Sequence, residues 1–140
     1  MDSNGLKAEM VNDKVCAPPK SNHEDTGFTS CSTQLDIQGI KLTVRMLRMN
    51  AAAMVFISPQ GKESLNEMGI AFPAFGTSAL PSSTTLFGPE YASNSQRLAD
   101  LWSKRYKRQF IVSCNVQTNG IDGSLVEKAI SEWVRVNVMA

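Results

Sequence analysis

Apolar and polar positions alternate from the fourth decade of the chain onward. Ile40, Leu42, Val44 and Met46 fall on one side of an extended segment, and Lys41, Thr43, Arg45 and Leu47 on the other. That period of two marks a half-buried strand. The run before it, "FTSCSTQLDIQG", predicts a strand that ends in a turn at Gly39. The run after it, "AAAMVFIS", is continuously apolar and predicts a central strand covered on both sides, joined to its predecessor as a hairpin around Asn50. Met54 is assigned to the core on this reading. A further strand is expected near Met68–Phe72, broken by Pro73, and another in "SSTTLFG", stopped by Gly88-Pro89.

The period then changes. Ser93 and Gln96 have the Ser-x-x-Gln spacing of a capping box. Leu98, Leu101, Trp102 and Tyr106 follow at helical spacing, and the helix should end near Tyr106–Lys107. "RQFIVSCNV" predicts a strand with Phe110, Val112 and Cys114 on one face and Ile111 on the other. "QTNGIDG" reads as a loop, with Asp122 or Ser124 capping a last helix whose apolar face is Leu125, Val126, Ala129, Ile130, Trp133 and Val134. The fold class is therefore α+β: a single small domain with an antiparallel β-sheet or two-layer β structure and two flanking α-helices. Residues 1–27 lack an apolar period, carry Pro18-Pro19, and are expected to be a disordered N-terminal tail ahead of a domain at 28–140.

Composition adds little bias. The 140 residues are 42% hydrophobic with a formal charge of +1, and no run is long enough to span a membrane. Residues 1–33 carry Lys7, Lys14 and Lys20 against Asp2, Glu9, Asp13, Glu24 and Asp25, a balance of −2 that leaves +3 on the rest. The start "MDSNGLKAEM" has no apolar core of the kind a secretory signal needs, and no Asn-x-Ser/Thr sequon occurs. The three cysteines, Cys16, Cys31 and Cys114, have no CxxC spacing, so reduced thiols in the cytoplasm or nucleus are expected, without a metal site.

Catalytic motifs are missing. "SPQGKES" lacks the first glycine of a phosphate loop and places Glu63 where a phosphate would be repelled. The single histidine, His23, sits in the tail. A non-catalytic binding protein without cofactors is the expectation. Lys104, Arg105, Lys107 and Arg108 surround Tyr106 and form the one concentrated basic cluster. Cations are favoured at a helix C-terminus, where unpaired carbonyls carry partial negative charge. The same cluster suits an acidic protein partner or, as the alternative, nucleic acid. Leu47 breaks the polar side of its strand, and with Met49 it is the apolar candidate for a partner-covered surface.

The order of these segments resembles the proteasome assembly chaperone 4 family. The matching pieces are "VRMLRMNAAAMVFIS" (Val44–Ser58), "STTLFG" (Ser83–Gly88), "SQRLADLWSKRYKRQFIVSCNV" (Ser95–Val116) and "SLVEKAISEW" (Ser124–Trp133). The departures are a longer tail, a divergent stretch at Gly61–Ser78, and Trp102 in place of a smaller, polar or basic residue. The resemblance implies a small α+β chaperone that pairs with proteasome assembly chaperone 3. The pair would bind alpha-type subunits, promote formation of the 20S alpha ring, and leave before the particle matures. It implies no catalytic residue.

Overall fold

The first hairpin is set by its turn. Gln38 and Gly39 have φ of 55° and 88°, the left-handed pair that a two-residue turn requires to match the twist of its strands. Gly39 also donates its N–H to Asp36 Oδ1 at 3.0 Å. The turn joins β1 (Thr29–Ile37) to β2 (Ile40–Arg48), and a second turn, closed by the Met49 N–H donating to the Ala52 carbonyl at 2.8 Å, leads into β3 (Ala52–Pro59). β4 (Met68–Phe72), β5 (Ser82–Phe87), α1 (Asn94–Tyr106), β6 (Gln109–Cys114) and α2 (Gly120–Val138) complete the chain. The structure, a computed structural model, describes residues 27–74, 82–88, 93–116 and 120–139. The expected tail lies outside the described residues.

The strands form one six-stranded sheet in the order β1-β2-β3-β6-β4-β5. It is antiparallel except at its centre, where β3 and β6 run parallel. Both helices cover one face. That face carries Leu35, Leu42, Val44, Val55, Ile57, Phe110 and Val112, each at most 1% exposed. α1 adds Leu98, Ala99 and Trp102, and α2 adds Val126, Ile130, Trp133 and Val134. Trp102 is fully buried, its ring centroid 5.9 Å from Phe110 and its Nε1–H directed at Ser131 Oγ at 3.2 Å. Trp102, where the resemblance implied a smaller, polar or basic residue, is thus a core residue here. Against expectation, Leu101 is 38% exposed, and Ser95, Ala99 and Ser103 complete the buried stripe. These small residues let the helix lie close to the sheet. α2 begins at Gly120, so Asp122 lies in its first turn and Ser124 just beyond that turn, and neither precedes the helix as a cap.

The N-terminus of α1 is locked to the sheet by polar contacts. Ser93 caps the helix by accepting the Gln96 N–H at 3.2 Å. The Gln96 side chain does not close a reciprocal capping box. It reaches β5 instead, accepting from Thr85 Oγ1 at 2.8 Å and donating to Ser83 Oγ at 3.2 Å. Glu67 Oε2 accepts from the Ser95 N–H at 2.9 Å and from the Ser93 and Ser95 hydroxyls, a carboxylate at the positive end of the helix. Ser95 Oγ accepts in turn from the Cys114 N–H at 2.8 Å.

Cys31 is held in a disulfide, a correction to the expectation of reduced thiols, whereas Cys114 is free and buried. Burial pushes the Cys114 thiol up to about 11 from an ordinary 9.0, with Glu67 and Glu127 adding to the rise. A thiol that holds its proton so firmly is packing, not an activated nucleophile. The folded state binds this proton more tightly than the unfolded one. Its stabilising effect is therefore complete below about pH 9 and is lost as pH rises towards 11, roughly 2–3 kcal/mol in all. Urea midpoints at pH 8 and pH 10.5 should fall less between the two in Cys114→Ala than in the parent chain.

Candidate partner-binding surface

Among the described residues no helix lies over the sheet's other face. One row of directly paired residues crosses all six strands: Ser30, Leu47, Met54, Ile111, Ile70 and Thr84. Its four central members are large, apolar and half-buried. Phe56 and Met68 extend the apolar area, and Phe72 is 40% exposed. Leu86, 51% exposed, carries it to the β5 edge. Apolar side chains packed in register on an open sheet face mark a surface that another molecule covers.

The rim is polar. Arg45 binds Glu63 in a two-pronged contact, Nε to Oε1 at 2.8 Å and Nη2 to Oε2 at 2.7 Å. This partner holds the Glu63 carboxyl below its usual range. Gln60 donates to Gln34 at 3.2 Å beside it. A shallow cavity of about 450 Å³, lined by Ser30, Ser32, Arg45, Leu47 and Phe56, lies between this rim and the apolar row. An apolar centre within a polar border is the usual anatomy of a protein interface.

The open face corrects one expectation. β3 is central in the sheet but, among the described residues, covered by helices on one side only, so Met54 and Phe56 belong to the open face rather than the core. A continuously apolar run does not separate a strand buried on both sides from one whose second face is open.

Of the residues singled out in the sequence, Leu47 lies on the open face and Met49 is half-buried at the β2–β3 link. Lys104 and Arg105 end α1, Lys107 is its C-cap, and Arg108 leads into β6. The fold brings these separate stretches to one end of the molecule, where the Gln109 N–H binds the Ala51 carbonyl at 3.2 Å. Lys104 pairs with Asp100 at 3.1 Å one turn earlier. Tyr106 is half-buried with its ring 6.1 Å from Phe110, so it packs against the core. Sequence reasoning missed Ile70, Met68 and Ile111 as surface candidates. The available signal was that the alternate positions of their strands are also apolar, which a strand with one wet face does not need.

The model of the proteasome assembly chaperone 4 family matches residues 41–116, more than half of the chain. The chain belongs to that family. No curated protein matches it. The matched segment runs from β2 to just past β6 and contains the apolar row from Leu47 to Thr84 as well as the basic turn after α1. Among the described residues no group of three or more His, Cys, Asp or Glu side chains could hold a metal ion. Among its described residues this family member has two distinctive surfaces, a broad apolar sheet face and a basic end.

Proposed function

We propose that this chain is a non-catalytic chaperone that pairs with proteasome assembly chaperone 3. Together they hold alpha-type subunits while the 20S alpha ring forms, and they leave before maturation. The observation that carries the reading is the apolar row across the open sheet face. Six strands at about 4.8 Å spacing make a face roughly 25–30 Å across, the scale of a standard protein interface. A second open sheet laid on it would form a sandwich with a dry layer about 10 Å thick. Such a contact is durable, which suits a constant partner. The client must be held more weakly so that it can be released, and polar, electrostatic contacts outside the sheet face suit that task. The cytoplasm and nucleus are the compartments this role implies.

A tagged chain recovered from cell extract and sorted by size tests the reading. We expect proteasome assembly chaperone 3 and alpha-type subunits in fractions smaller than the core particle, without mature beta subunits. Recovery of the chain alone, or with the finished particle, would sink it.

A further inference from the structure

Lys107 stands in a left-handed conformation, with φ 58° and ψ 43°. Its N–H closes the helix by donating to the Ser103 carbonyl at 2.9 Å. Glycine makes the same bond in the same place without a Cβ to crowd the backbone, and it is the residue that helix ends favour there. The partial negative charge of the helix end accounts for Lys104 and Arg105 in the last turn. It does not account for a strained lysine where glycine would close the helix equally well. Backbone strain kept at an exposed position points to use of its side chain. Around it, Arg105 is exposed and Arg108 half-buried, and none of the three forms an ion pair among the described residues.

We propose that Lys107, with Arg105 and Arg108, is the docking point for a carboxylate-rich surface of the client alpha-type subunit, at a site separate from the open sheet face. The proposal rests on the client assigned above. A protein partner fits better than nucleic acid on three counts. The chain's net charge is only +1, Asp100 adjoins the cluster, and Tyr106 is turned into the core and offers no ring for base stacking. The half-buried Met49 nearby supplies apolar area that a protein surface can cover and a phosphate backbone cannot use.

The test uses the full chain bound to proteasome assembly chaperone 3, with purified alpha-type subunits, a polyglutamate peptide and a single-stranded oligonucleotide as probes. Lys107→Gly should raise the thermal midpoint by roughly 1–4 °C, because it relieves the strain. It should also weaken alpha-subunit binding about 3- to 10-fold, and more at 50 mM than at 300 mM salt. Lys107→Glu should weaken binding further. Lys128→Ala, which removes an exposed charge from the middle of α2, should change neither. A stabilised Lys107→Gly complex that binds alpha-type subunits as tightly as the parent overturns the proposal while leaving the chaperone reading intact. If the parent complex binds no alpha-type subunit, the chaperone reading fails, and the peptide decides the site. Polyglutamate held by the parent and released by Lys107→Gly supports a carboxylate-docking point, and polyglutamate ignored by the parent overturns it. An oligonucleotide held more tightly than the peptide, with the same dependence on Lys107, overturns it in favour of nucleic acid.

Discussion

Ile111→Lys is expected to abolish pairing with proteasome assembly chaperone 3 while the chain itself stays folded. Ile111 lies at the middle of the open-face row, paired to Met54 on β3 and to Ile70 on β4. In the free chain this face meets water, so a lysine there can run its methylene stem over the neighbours and leave its ammonium hydrated. The cost to folding is the loss of a β-branched residue from a strand, on the order of 1 kcal/mol. In the pair the same ammonium is shut into the driest part of the interface without a partner. Central interface residues are worth about 2–4 kcal/mol, which is roughly a 30- to 1,000-fold loss of affinity. Size-exclusion chromatography of the mixed chaperones reads pairing, and far-ultraviolet circular dichroism of the free variant reads folding. Leu47→Lys repeats the test further along the row. If both variants fold and still pair at parental affinity, the open face is not the interface.

Gly69→Ala should damage the domain severely for the sake of a single methyl group. A Cβ on Gly69 would lie 2.5 Å from Gln96 Cα, 2.6 Å from Gln96 N and 2.9 Å from the Ser95 carbonyl carbon. These are backbone atoms of α1's first turn and cannot swing aside. The glycine itself is not in a left-handed conformation, so the cost is one of space alone. To admit the methyl, α1 must lift from β4. That would strain the contacts of Ser95 with Glu67 and with Cys114, and those of Gln96 with Ser83 and Thr85. Overpacking typically costs about 1–3 kcal/mol, and a rigid backbone neighbour with a dependent polar network puts this site at about 3 kcal/mol or more. A denaturant slope of about 2 kcal/mol/M turns that into a fall of about 1.5 M in the urea midpoint. A midpoint within about 0.3 M of the parent would mean that helix and sheet adjust freely, and that the close approach has no structural role.

The elements were legible because their signals are local. Alternation defined β2, Gly39 ended β1 and marked the turn between them, Ser93 marked the start of α1, and Pro73 bounded β4. The run of cations at the end of α1 also pointed to the helix terminus, because the cause of the preference lies within one turn. The resemblance drawn from segment order led to the family that the matched residues 41–116 then showed.

Other features depended on contacts between distant parts of the chain. β6 inserts between β3 and β4, beside one strand in parallel and the other antiparallel, and no neighbouring residue encodes that choice. The choice places Ile111 between Met54 and Ile70 and so creates the apolar row. It also carries the basic turn of residues 104–108 to the β2–β3 link. Gly69 resembled an ordinary strand glycine until α1 lay across it. The sequence by itself determined which elements form, in what order, and roughly where each one lies, because those follow from spacing along a few residues; the start of α2 at Gly120 and the exposure of Leu101 departed from that spacing. Only the tertiary structure decided which apolar side the helices cover and which they leave open, because hydrophobic burial has no direction until the layers are stacked.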